Sequence, residues 1–220
     1  MKKVGLLLSG CGFNDGSEIH ESVISMLALD RAGVETVIMA PNIDQMHVVN
    51  HYTGQEMDEF RNVLVESSRI ARGNIKDMAE VTGNDLDALI IPGGFGVAKN
   101  LSDYAMAGPD CSVNPDVYRL VSEIYLLKKP IGAICIAPVM MAKIFGEQDE
   151  SAEMTIGSDE LTSKDIKTMG SKHIKCLVSE MIIDEDKKLV TTPAYMEAQS
   201  IKEAAEGIEK LVKQVLLMIE

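Results

Sequence analysis

Hydrophobic and polar positions alternate along this chain in two distinct rhythms. Lys3 to Leu8, Glu35 to Ala40, Leu86 to Ile91 and Ile131 to Ile134 are short runs in which apolar residues follow one another almost without interruption. Such runs mark strands buried on both faces, as in a parallel sheet. Between them the apolar residues fall three and four apart: Ile19, Val23, Met26 and Leu27 ahead of Gly33, then Val63, Leu64 and Ile70 within Asn62 to Arg72, then Val117, Leu120, Ile124 and Leu127 behind Asn114-Pro115. This spacing predicts three helices, with Asp15 or Ser17 available to cap the first. A fourth helix is predicted over Ile136 to Phe145, with Pro138 tolerated in its first turn. The order is β-α four times over, and right-handed crossovers then place helices on both faces of one sheet. Further strands are predicted at Met154 to Ser158, Ile174 to Val178, Met181 to Asp184 and Leu189 to Thr192, the last two forming a hairpin around Glu185-Asp186-Lys187. A closing helix, about Gln199 to Ile219, carries Ile201, Ala205, Ile208, Val212, Val215 and Ile219 on one stripe. Residues 98 to 113 fit neither rhythm and read as an excursion or lid-like insertion.

The polar interruptions matter because ligands of open α/β sheets bind beyond the carboxyl ends of the strands. Three such ends stand out: the loop Ser9 to Gly16, the turn Pro92-Gly93-Gly94-Phe95-Gly96, and Cys135. The first is neither a dinucleotide fingerprint nor a P-loop, since the third glycine and the Gly-Lys-Ser/Thr are absent. Gly93-Gly94 would let backbone N–H groups approach a ligand, or would simply make a tight turn. Cys135 sits where a strand runs straight into a helix, beside unpaired N–H groups and the positive end of the helix dipole, which favour a thiolate. On pattern alone Cys135 is equally readable as a small buried hydrophobe. Glu18 and Glu21 lie three apart in the first turns of the first helix, and Ile19 and Val23, on the side expected to be buried, flank Glu21 and turn it inward. A carboxyl group near a core needs a partner. His51 is a candidate loop residue at the site, while the four histidines share no ligand spacing.

Composition narrows this further. A chain of 220 residues suits one α/β domain spanning 1–220. Its apolar runs fall far short of a membrane span, and Ser9-Gly10-Cys11-Gly12 ends the first one too early for a secretory signal, so a cytoplasmic protein without a membrane partner is expected. With 34 acidic against 21 basic residues the net charge is −13, which argues against nucleic acid as a partner. Four cysteines without metal-ligand spacing suggest reduced thiols and neither a metal site nor a disulfide framework.

Three segments carry a resemblance that spans essentially the whole chain. Gly16 to Ile24, Ile91-Pro92-Gly93-Gly94 and Ala133-Ile134-Cys135-Ile136-Ala137-Pro138 resemble the motifs of the DJ-1/PfpI superfamily. Ser9-Gly10-Cys11-Gly12, Asn50-His51 with Thr53-Gly54, Gly93 to Leu101 and Thr191 to Met196 are similar to its ElbB-like branch, associated with glyoxalase activity and with an auxiliary role in isoprenoid biosynthesis. The resemblance implies a flavodoxin-like three-layer α/β/α sandwich with a mostly parallel sheet, and a class I glutamine amidotransferase-like fold. It implies Cys135 as nucleophile with Glu21 facing it, and a thiol pKa lowered by the helix dipole and the Glu21 hydrogen bond. The backbone N–H groups of Gly94 and Ile136 would stabilise an oxyanion, and Cys11, Gly93, His51 and Asn100 are candidate site-lining residues. Many superfamily members place a histidine after the strand that follows the elbow helix, and here Gly157 stands at that place. The expected function is cofactor-independent, glyoxalase-type conversion of a small aldehyde or dicarbonyl such as glyoxal. The alternative is a redox- or electrophile-sensing thiol, with Cys11 as resolving partner. An apolar patch on the 98–113 excursion or on the last helix would make a homo-oligomer, a dimer in the simplest case.

Overall fold

Seven strands form the central sheet of the computed structural model, which describes all 220 residues. They are β1 (Lys3–Leu7), β2 (Glu35–Ala40), β3 (Lys76–Asp77), β4 (Ala88–Ile91), β5 (Ile131–Ile134), β6 (Ile182–Asp184) and β7 (Leu189–Thr192). Their order across the sheet is β6-β7-β5-β4-β1-β2-β3, and every neighbouring pair is parallel except β6 with β7. The apolar runs explain this: Leu6 of β1 lies between Ile38 and Ile90, and both faces of the inner strands are buried.

Six helices cover the two faces: α1 (Ile19–Arg31), α2 (Val63–Ile70), α3 (Pro115–Leu126), α4 (Ala137–Glu147), α5 (Glu160–Thr168) and α6 (Ile201–Leu217). Val4, Leu6, Ile90 and Val190 pack on one side with α1, α2 and α6, while Leu7, Leu89, Ile91 and Leu189 pack on the other with α3, α4 and α5. The alternation of strand side chains therefore makes two cores from one sheet, the expected three-layer sandwich.

Four expectations need correction. The apolar set of α1 points outward: Ile19, Val23 and Leu27 are exposed, and the buried face is Glu21, Ser22, Ile24, Ser25 and Leu29. Because α1 packs against α6, its small residues face the neighbouring helix, and Glu21 is turned inward for a different reason from the one its sequence neighbours suggested. Glu18 caps the helix by accepting from the Glu21 N–H at 2.7 Å, while Ser17 accepts from Ser9 and Asp15 from Val49. In place of the strand expected over Met154 to Ser158 the chain makes only the short strand Glu153–Met154, paired with Lys172–His173 outside the main sheet, and Ile174 to Val178 is irregular. The excursion from 98 to 113 begins in a π-helical turn at Val97–Leu101, continues through the helical turn Tyr104–Ala107, and is pinned by a bridge between Ser102 and Val113.

Candidate active site

β1, β4, β5 and β7, adjacent or nearly so in the sheet, all deliver their chains to one edge. Cys135 follows β5 with a φ of 61°, a left-handed conformation that costs a side-chain-bearing residue energy and turns the strand sharply into α4. Its N–H is tied to the Thr192 carbonyl at the end of β7 at 3.0 Å, which holds the corner in place. Gly93, after β4, passes so close that a Cβ there would lie 2.5 Å from the Cys135 Cβ and 2.9 Å from Glu21 Oε2. Gly94, at φ 95°, would meet the Glu18 nitrogen and the Gly16 carbonyl at 2.4 Å. Only glycine permits this crowding, so the Gly93-Gly94 pair is more than a tight turn.

Glu21 is fully buried beneath this crossing. Gly93 N–H donates to its Oε2 at 2.8 Å and Tyr195 N–H to its Oε1 at 3.2 Å, so each oxygen has one backbone donor. Its carboxyl also faces the Cys135 side chain across Gly93, and the N–H groups of Gly94 and Ile136 lie near the sulfur. The two residues expected to hold an oxyanion thus already converge on the nucleophile. Burial, reinforced by the charge of Glu18, pushes the Glu21 carboxyl up to about 8 against the pull of its backbone donors. Burial also pushes the Cys135 thiol well up, with Glu21 adding to the effect, and the N–H donors offset only part of it. The expected lowering of the thiol pKa is therefore reversed in sign: desolvation outweighs the dipole at a residue only 7% exposed. Two acids in one desolvated pocket share protons, and they titrate as a pair.

Cys135 opens into a cavity of about 440 Å³ walled by Phe13, Phe95, Tyr104, Ile136, Leu161 and Met196, among others. The 98–113 excursion contributes Ala98, Tyr104 and Ala105, as a lid-like insertion at this edge would. The other candidates lie elsewhere. Asn100 is buried and pins loops together, donating to the carbonyls of Ser9 and Asp15 at 2.8 Å each and accepting from Met46 N–H at 2.9 Å. His51 packs edge-on against Phe13 and accepts from Asn14 N–H, and Cys11 is set beside Glu66, Arg69 and Asp15. None of the three lines the cavity. Gly157 has its open side filled by Glu197, which would leave a Cβ 2.5 Å from Glu197 Cγ, so a histidine has no room there.

The segment after β7 completes the wall of the site. Tyr195 and Met196 line the cavity, and the Tyr195 hydroxyl is 2.7 Å from His20 Nδ1, next in sequence to Glu21. Ala194 ahead of them is left-handed at φ 43°, a second strained corner beside the first. The position of Pro193 to Met196 at the carboxyl end of a parallel strand is the signal that marks them.

The chain is 44% identical to the ES1 protein homolog, mitochondrial, of Rattus norvegicus and 44% identical to the glutamine amidotransferase-like class 1 domain-containing protein 3, mitochondrial, of Homo sapiens. Each match covers 97% of this chain, and 83% and 82% of those proteins respectively. The crystal structure of an isoprenoid biosynthesis protein with an amidotransferase-like domain from Ehrlichia chaffeensis superposes with a TM-score of 0.93 at 36% identity, over 100% of both chains. Both mammalian relatives are named as mitochondrial proteins, which overturns the expectation of a cytoplasmic one. The relationship supports a general thiol-dependent enzymatic or stress-response role. With residues 11–198 matching the family model and the strained Cys135 corner in place beside Glu21, the chain belongs to the DJ-1/PfpI family.

Proposed function

We propose that the protein is a cysteine-dependent, cofactor-independent glyoxalase-type enzyme that converts a small dicarbonyl such as glyoxal into a hydroxy acid. The observation that carries this reading is the convergence of the Glu21 carboxyl and the Gly94 and Ile136 N–H groups on one strained thiol. When the pair has lost one proton, Glu21 takes the remaining proton from sulfur as sulfur attacks the aldehyde carbon. The carbonyl electron pair moves onto oxygen, where Gly94 and Ile136 N–H donate to it, and Glu21 returns the proton to give a hemithioacetal. Glu21 then takes the hydrogen of that carbon as a proton, an enediol forms, and reprotonation at the neighbouring carbon leaves a thioester. Water attacks the thioester, the C–S bond breaks, sulfur recovers its proton and the hydroxy acid leaves. One carbon is oxidised and its neighbour reduced, so no external electron carrier enters the balance.

Glyoxal turnover by wild type, Cys135→Ala and Glu21→Gln tests this. Loss of turnover in the first variant and a fall of roughly 10²-fold or more in the second are expected. Undiminished turnover in Cys135→Ala would refute the mechanism. The alternative, a sensing thiol without turnover, calls for an accessible low-pKa cysteine, and the burial of Cys135 with its raised pKa weighs against it.

A further inference from the structure

The cavity above Cys135 is far larger and more apolar than glyoxal requires. At about 440 Å³ it falls in the range, roughly 300–1,000 Å³, that encloses drug-sized ligands. A two-carbon dicarbonyl would leave most of that space as water against Phe13, Phe95, Leu161 and Met196. Phe13, Phe95 and Leu161 are 49%, 50% and 72% exposed, so three large apolar side chains from three separate segments stand uncovered around one opening. Unpaired apolar surface of this kind, converging on a reactive atom, is what a ligand tail covers.

The polar groups of the wall are already engaged. The Tyr104 hydroxyl donates to Asp165 Oδ2 at 2.7 Å, and the Tyr195 hydroxyl is paired with His20. The cavity lining contains two carboxylates, Glu18 and Asp159, each capping a helix, and no lysine, arginine or histidine. Lys99, 5.5 Å from the Phe95 ring centroid, donates to the Asn14 carbonyl. A substrate carrying a carboxylate or phosphate would therefore meet like charge with no fixed cation to balance it.

From this we infer that the site takes a neutral carbonyl compound with an apolar tail, an alkyl or aryl 2-oxoaldehyde, in preference to a two-carbon or an anionic one. This rests on the proposed reaction, whose steps are the same with R in place of hydrogen: R–CO–CHO and water give R–CH(OH)–COOH, with the aldehyde carbon oxidised and the ketone carbon reduced. The aldehyde sits at Cys135 and R occupies the apolar space. Each methylene buried there raises kcat/KM roughly fourfold until the space is filled.

The experiment compares kcat/KM for glyoxal, methylglyoxal, 2-oxooctanal, phenylglyoxal and 4-carboxyphenylglyoxal. Phenylglyoxal and 2-oxooctanal are expected to exceed glyoxal by roughly 30-fold or more, and the carboxylated ring to fall at least tenfold below phenylglyoxal. Leu161→Ala, at an exposed position in the first turn of α5, is expected to lower the phenylglyoxal-to-glyoxal ratio about fivefold. Glyoxal turned over as well as phenylglyoxal overturns the inference and leaves the reaction standing. Turnover of none of the five overturns the reaction, and the inference is then decided by binding to Cys135→Ala, measured by calorimetry with unreactive ketones. Acetophenone binding at least tenfold more tightly than acetone and 4-acetylbenzoate supports it, and equal binding overturns it.

Discussion

Replacing Glu21 with glutamine separates the cost of burying an ionisable group from the hydrogen bonds that group makes. The carboxyl is fully buried and its pKa is raised from 4.5 to about 8. As pH climbs above 4.5 the unfolded chain releases this proton while the folded protein keeps it until about 8. The contribution to stability is therefore fully present below 4.5 and is lost as pH rises through the interval. At 1.36 kcal/mol per pH unit the whole loss is roughly 5 kcal/mol. Glutamine cannot ionise and has no such slope. Its amide nitrogen cannot accept, however, so either Gly93 N–H or Tyr195 N–H loses its partner at every pH. That deficit is roughly 1–3 kcal/mol. Glu21→Gln is thus expected to be less stable than wild type by 1–3 kcal/mol near pH 4.5, equal to it near pH 6, and more stable by about 2–4 kcal/mol at pH 8. Urea unfolding followed by circular dichroism at pH 4.5, 6, 7 and 8 measures the difference, and contributions from the other acidic residues cancel between the two proteins. A difference that stays constant across the range, or one that moves in favour of wild type as pH rises, would refute the argument that Glu21 is held neutral.

Two further substitutions probe the surroundings. Gly93→Ala puts a methyl group 2.5 Å from the Cys135 Cβ, and relieving that contact shifts nucleophile and carboxyl by about an ångström, so turnover is expected to fall on the order of 100-fold; turnover within threefold of wild type would show that the close approach has no functional weight. Asn100→Ala leaves Met46 N–H and the carbonyls of Ser9 and Asp15 without their partner and is expected to lower unfolding stability by roughly 2–5 kcal/mol, where a loss under 1 kcal/mol would contradict its pinning role.

The parallel strands and most helices are legible in the chain because burial on both faces demands continuous apolar runs and burial on one face demands a period of 3.6 residues. Cys135 and Gly93-Gly94 are legible for a related reason, since each follows such a run. Glu21 is found, yet by an argument the structure reverses, because Ile19 and Val23 face outward. Asn100 is picked out by its motif, but its motif serves the joining of three loops. The direction of the Cys135 pKa is beyond the sequence, since it depends on how completely the loops from β1, β4 and β7 close over the sulfur. Tyr195 and Met196 fall within the Thr191 to Met196 motif, but their place in the cavity follows only from the sheet order, which sets β7 beside β5.

The outward apolar face of α1 gives the helix a rotational setting that opposes its own hydrophobic preference. Ile19, Val23 and Leu27 stay exposed in the single chain, while Glu21, Ser22 and Ser25 are buried and the Ser25 hydroxyl has no hydrogen-bond partner. Turning the helix about its axis to bury the apolar set would withdraw the carboxyl from Cys135. The sequence of α1 therefore encodes a local conflict of the kind minimally frustrated chains avoid except where function demands it. The backbone hydrogen bonds from Gly93 and Tyr195 to Glu21 act together with the packing of α1 on α6 to hold this setting, so contacts that set the chemistry also serve as a detent for the helix.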